Sequence, residues 1–174
     1  AQLAACTPAI LALLDVVPER LKPIEELLQR QGLVGDNVVL HACDATQALP
    51  DGLPLLFDAV LLDAPCSATG IIRRQPDIKW HRQVKDIDQL NTLQWRLLKN
   101  AWRYLKPGGR LMYSTCSVLK AENELLIDSF LKQNSDACAI DLGDRYGRVS
   151  GAGRQRFPGE DDGDGFYYAL LQKA

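Results

Sequence analysis

Short runs of continuously apolar residues alternate with helical patterns along this chain, and that alternation constrains its fold more than any other feature. Residues 9–16, Val38–His41, Phe57–Leu62, Arg110–Ser114 and Phe166–Leu171 read as strands. Several are apolar throughout, as a parallel sheet covered on both faces requires. Between them, a helical pattern runs from Pro18 through Leu21, Ile24, Leu27 and Leu28 to a stop at Gly32, with Pro23 close enough to its start to be tolerated. A second runs over Ile87–Leu105, carries Leu90, Leu93, Leu97, Leu98, Ala101, Trp102 and Leu105 on one stripe, and ends at Lys106-Pro107-Gly108-Gly109. A third covers Ala121–Lys132, and Gly143–Gly165, rich in Gly, Asp and Arg, reads as a long loop. The expectation is an α/β fold with a doubly wound, mostly parallel sheet and right-handed crossovers, in one domain spanning residues 1–174.

Two of these strands are followed by a cysteine. Cys66 lies in Asp63-Ala64-Pro65-Cys66-Ser67-Ala68-Thr69-Gly70 and Cys116 in Ser114-Thr115-Cys116-Ser117. Ligands of open α/β sheets bind at the carboxyl ends of the strands, so both thiols are expected at one sheet edge. A free cysteine is usually a small buried hydrophobe. Here the Ser, Thr, Asp and Pro neighbours and the strand-end backbone N–H groups can stabilise a thiolate instead. Asp15, Asp44 and Asp63 close three consecutive strands. Taken singly each fits a helix cap or turn as well as a ligand contact, whereas the series fits a nucleoside, whose hydroxyls and amino group carboxylates can accept.

Composition narrows the chemistry. The cysteines, Cys6, Cys43, Cys66, Cys116 and Cys138, are odd in number and widely spaced, and His41 and His81 are the only histidines, which argues against a disulfide framework or a metal site. The net charge is −2, but the window Ile71–Lys85 is +4, with Arg73, Arg74, Lys79, Arg82 and Lys85 against Asp77 alone. Positive charge is therefore local, as at a docking surface. Residue habits favour core packing over base stacking for Trp80, and a structural role for Trp95 and Trp102. Cys6, Cys43 and Cys138 default to packing, His41 to a strand end, and Glu160-Asp161-Asp162 to a solvated loop. No apolar run reaches the roughly 18 residues of a membrane span and no signal-peptide pattern opens the chain, so a cytoplasmic location is expected.

The motifs together resemble the RNA 5-methylcytosine methyltransferases, with most similarity to the small-subunit ribosomal RNA branch. The residues that carry the resemblance are Asp-Ala-Pro-Cys-Ser-Ala-Thr-Gly, Arg73-Arg74-Gln75-Pro76-Asp77-Ile78-Lys79-Trp80, Ser-Thr-Cys-Ser, Glu122-Asn123-Glu124, Phe157-Pro158-Gly159 and Gly163-Asp164-Gly165-Phe166-Tyr167-Tyr168-Ala169. The resemblance implies a Rossmann-like, S-adenosylmethionine-dependent fold. It also implies transfer of a methyl group to C5 of a cytosine in ribosomal RNA. Cys116 would be the nucleophile that adds at C6, Cys66 would assist release, and Asp15, Asp44 and Asp63 would belong to the cofactor pocket. DNA cytosine methyltransferases use a Pro-Cys cysteine as nucleophile, so the Thr-Cys-Ser cysteine points to RNA. The chain departs from the family in lacking the Ala-Pro-Gly-Gly-Lys-Thr-like loop after the first strand, with residues 1–5 read as the remnant of the helix that follows it. The expectation is accordingly a carboxyl-terminal catalytic fragment. The alternative is an RNA-binding or assembly module without cofactor or activity.

Overall fold

The computed structural model describes residues 10–33 and 35–174. The proposed helix remnant at residues 1–5, Cys6 and the first residue of the first expected strand lie outside that range. Two compact units divide the chain, one up to Pro54 and the other Leu55–Ala174.

The first unit contains β1 (Leu11–Asp15), α1 (Pro18–Arg30) and β2 (Val38–Ala42). The strands pair in parallel with Leu11 opposite Val38 and Asp15 opposite Ala42. Pro18 occupies the first helical positions, where its missing N–H costs nothing, and Gly32 beyond the helix end adopts φ +64°. Leu21 and Leu28, one face of the expected stripe, are buried.

The second unit follows with β3 (Phe57–Asp63), a short α2 (Ile78–His81), the long α3 (Val84–Arg103), β4 (Leu105–Thr115) and α4 (Glu124–Gln133). It closes with β5 (Ala137–Ile140), β6 (Arg148–Ser150), β7 (Gly153–Arg156) and β8 (Phe166–Lys173). β3 and β4 are parallel, β8 runs antiparallel beside β4, β5 and β7 both pair with β8, and β6 pairs with β7. The parallel pairs expected from the apolar runs are thus β1–β2 and β3–β4, and the remaining pairings are antiparallel.

Three local readings change. Lys106-Pro107-Gly108-Gly109 does not precede β4 but bulges from within it. Between Phe57 opposite Leu105 and Ala59 opposite Arg110, β4 carries the extra residues, and Gly108 takes φ +75° there. The expected loop 143–165 contains the β6–β7 hairpin. Its strands are polar, and Arg154 sits buried because Asp141 and Asp144 accept from its guanidinium at 2.7–2.9 Å. Trp80 is 77% exposed rather than packed in a core, with Lys79 Nζ 5.1 Å from its ring centre.

One face of β4 and β8 makes the core of this unit. Leu111, Tyr113, Tyr167, Ala169 and Leu171 meet Leu98 and Trp102 of α3 and Leu126, Ile127 and Phe130 of α4. Trp102 and Trp95 both meet Phe130 edge to face, at 5.3 and 6.0 Å between ring centres, which bears out their structural reading. α3 begins at Gln83, whose backbone N–H donates to Asp86 Oδ2 at 2.9 Å, half of a capping box.

Candidate active site

The second unit brings the two thiols together. β3 and β4 are adjacent and in register to their ends, with Asp63 opposite Ser114, so the loops that leave them start side by side. Ala64 N–H donates to Ser114 O (2.9 Å), and Cys66 Sγ stands 3.4 Å from Cys116 Sγ as a pair of free thiols.

The two sulfurs are not equivalent. A thiol donating S–H to its neighbour stabilises that neighbour as thiolate and holds on to its own proton more tightly. The Sγ–Sγ geometry admits either sulfur as donor; with Cys66 donating, the bond to Cys116, followed by burial, pushes its thiol well above the ordinary range. Cys116 is pulled down to about 7, chiefly by that same bond, against opposing burial and the nearby negative charges of Asp63 and Glu122. One thiolate at Cys116 and one thiol at Cys66 therefore coexist near neutral pH.

A buried polar frame lies beneath them. Glu122, in a single 3-10 turn (Lys120–Glu122) before α4, is fully buried. Its Oε1 accepts from Ser67 N–H (2.8 Å) and Gln94 Nε2 (3.1 Å), and its Oε2 from the Ser67 and Ser117 hydroxyls (2.5 Å each). Gln94, on α3, also donates to Pro65 O (2.8 Å), which fixes its amide orientation and leaves its buried Oε1 without a partner. Asn123 accepts from the Thr115 hydroxyl (2.6 Å) and donates to Ser117 O and Gln155 Oε1 (2.9 Å each). Backbone bonds complete it: Gly70 N–H to Cys116 O and Gly165 N–H to Gly70 O, both 2.8 Å. Side-chain space at Gly70 is nil, since a Cβ there would lie 2.1 Å from Gly165 O.

The basic window begins at this frame. Arg82 Nε donates to Ser67 O at 3.0 Å, Arg74 pairs with Asp164, and Trp80 and Lys79 lie exposed between them in sequence.

The expected cofactor carboxylates lie in both units. Asp63, at the end of β3, accepts from the Ser114 hydroxyl at 3.1 Å. In the first unit Asp15 ends β1 and accepts from Val17 N–H, while Asp44 follows β2 and accepts from Thr46 N–H, both at 2.8 Å. The turn role weighed for these residues is thus realised through one oxygen of each. Within the first unit, Asp15 and Asp44 stand at the carboxyl ends of two paired parallel strands, where carboxylates present acceptors of the kind a nucleoside's hydroxyl and amino groups need.

Reasoning from sequence reached Cys66, Cys116 and the three aspartates but not the frame of Ser67, Gln94, Ser117 and Glu122. The available signal was a serine directly after each cysteine. Cys138 is exposed rather than packed, its Sγ 3.6 Å from Gln172 O, and Cys43 is partly buried. Glu160 and Asp161 pair with Arg148 and Arg156, and no cluster of metal-ligating side chains occurs among the described residues. Nor is any described helix long and apolar enough to cross a membrane.

Comparison with known proteins gives the family. Ribosomal RNA small subunit methyltransferase B of Xanthomonas campestris is 55% identical over 166 residues, 94% of this chain and 37% of that protein. The protein of the same name from Xylella fastidiosa Temecula1 is 52% identical over 163 residues, again 94% and 37%. The chain thus spans a little over a third of the length of these relatives. Among solved structures, a methyltransferase homologue from Pyrococcus horikoshii superposes with a TM-score of 0.78 at 32% identity, covering 95% of this chain and 53% of that one. The fold is the Rossmann-like fold of S-adenosylmethionine-dependent methyltransferases. Residues 1–172 match the family described as 16S rRNA methyltransferase RsmB/F, and the chain belongs to that family.

Proposed function

We propose that this chain, read as a single catalytic domain over residues 1–174, is the catalytic part of an S-adenosylmethionine-dependent methyltransferase that modifies C5 of a cytosine in small-subunit ribosomal RNA, acting in the cytoplasm. The observation that supports it most is the asymmetric thiol pair, 3.4 Å apart at the ends of adjacent parallel strands.

Cytosine C5 becomes nucleophilic only after addition at C6. The Cys116 thiolate forms the Sγ–C6 bond, and the C5–C6 π electrons become available at C5. Asp15, Asp44 and Asp63 would hold S-adenosylmethionine, which would supply an electrophilic methyl carbon, the new bond to C5 forming as the sulfonium–methyl bond breaks. The C5 proton must then leave so that the double bond re-forms and Cys116 departs as thiolate.

Cys66 suits that last step. The main cause of its high proton affinity is its bond to Cys116, and a Cys116 sulfur bonded to carbon carries no negative charge. Once the adduct forms, Cys66 can release its own proton to solvent and, as a thiolate, take the one at C5. The roles of the two thiols therefore alternate within one turnover.

The window Ile71–Lys85 supports an RNA strand as substrate. Its arginines and lysines can contact phosphates, and the exposed Trp80, close to Lys79, offers a face on which a base can stack.

The test is methylation of small-subunit ribosomal RNA by the intact enzyme carrying Cys116→Ala, read by mass spectrometry of the nucleosides. Loss of 5-methylcytosine is expected; methylation at the unaltered rate would overturn the reading. Calorimetry of this chain with S-adenosylmethionine gives an independent measure of the cofactor site.

A further inference from the structure

We propose that Glu122 is a positioning residue of the two-thiol centre: its buried carboxylate clamps the segments next to Cys66 and Cys116 and so sets the working distance between the two sulfurs. The proposal rests on the methyltransferase reading for the reaction these sulfurs serve.

Glu122 touches neither sulfur, but it holds what is bonded to both. Ser67 directly follows Cys66 and gives Glu122 its N–H and its hydroxyl, while Ser117 directly follows Cys116 and gives its hydroxyl to the same Oε2. The peptide before Cys66 is held as well, because Gln94 Nε2 bridges Pro65 O and Glu122 Oε1. A single carboxylate thus joins the β3 loop, the β4 loop and α3. Its own position is fixed by the Tyr113 hydroxyl, which donates to the Glu122 carbonyl at 2.8 Å.

The four donors to the carboxylate are neutral: one peptide N–H, two hydroxyls and one carboxamide. A buried charge among neutral donors gains little stability over an apolar residue of the same size, but it accepts several bonds in fixed directions. That is what holding two loops in register requires. Its negative charge also disfavours ionisation of both thiols, in keeping with a centre that carries one thiolate at a time. The charged and titratable groups around the pair are Asp63 from β3, Tyr113 from β4 and Glu122 from the turn before α4.

Two measurements on the intact enzyme test this. Diamide takes two hydrogens from a thiol pair and leaves a disulfide, at a rate that depends on the approach of the sulfurs and needs neither RNA nor cofactor. In Glu122→Ala, Cys66–Cys116 disulfide formation is expected to slow about tenfold. Its kcat for RNA methylation is expected to fall about a hundredfold, with KM for S-adenosylmethionine within about threefold. Glu122→Gln keeps the shape and can still accept from Ser67 N–H and Gln94 while its NH2 group faces the two hydroxyls, so near-normal disulfide formation is expected. If Glu122→Ala fails to fold, Glu122→Asp, which keeps the charge but shortens the reach, takes its place with the same expected slowing. Disulfide formation and kcat at the wild-type level in folded Glu122→Ala or Glu122→Asp would overturn the proposal, as would Glu122→Gln being as slow as Glu122→Ala. Failure of the methyltransferase reading would show separately, as wild-type enzyme that forms the disulfide but methylates no RNA.

Discussion

The frame beneath the thiols and the basic segment beside it are built on opposite principles. In the frame, Ser67, Gln94, Thr115, Ser117, Glu122 and Asn123 are buried and satisfied largely by one another. In the segment from Arg73 to Lys85, the cationic side chains and Trp80 are mostly exposed, and Arg82 is the link between the two. On the proposed reading, chemistry on a base needs atoms fixed to fractions of an ångström, whereas grip on a flexible polyanion needs charge and stacking that can adapt. Rigidity is spent where bonds are made.

Five outcomes can break or sharpen that contrast. The largest is expected at the sulfurs. Cys116→Ala should lower methylation by about a thousandfold or more. Cys66→Ala should still form the adduct but release it slowly, so a covalent RNA–protein complex should accumulate on denaturing gels. Trp80→Ala should weaken RNA binding by about 1–3 kcal/mol in a filter or anisotropy assay, with the unfolding temperature unchanged. If it also destabilised the fold, the segment would belong to the frame after all.

A smaller effect concerns pH. Alkylation by iodoacetamide needs the thiolate, so Cys116 should react half-maximally near pH 7 and lose about tenfold in rate for each unit below that. Removing the S–H donor with Cys66→Ala takes away the chief stabiliser of the thiolate, and the midpoint should move up. A midpoint that stayed in place would mean that the pair is not coupled. The smallest effect is expected far from both regions, where Lys106 Nζ meets Asp58 Oδ1 at 2.9 Å on the surface. Asp58→Asn should cost less than about 1 kcal/mol in urea unfolding.

What could be read in the sequence follows the same division. Val38–Ala42, Phe57–Asp63 and the long helix were legible because each announces itself locally, through an apolar run or stripe. β6 and β7 were not, because Arg148-Val149-Ser150 and Gly153-Arg154-Gln155-Arg156 carry no apolar period. What buries Arg154 is a pair of aspartates from another segment, and what holds Gln155 inside is a hydrogen bond donated by the Asn123 carboxamide, 32 residues away. Both cysteines of the site could be found by their place after strands. Glu122 could not be singled out from its motif, since the partners that define it lie 55 and 28 residues away, as well as next to Cys116. Trp80 misled because a tryptophan's habit is the core, and only the charge around it argued otherwise.

Gly70 carries a further consequence. Through it the backbone at Cys116 is stitched to Gly165, one step before β8, by two successive hydrogen bonds. Three stretches of chain cross there with no room for even a methyl group. For anyone redesigning this protein, the turn between Gly159 and Gly165 is therefore a poor place for an insertion or a new terminus, because slack introduced there would be transmitted to Cys116.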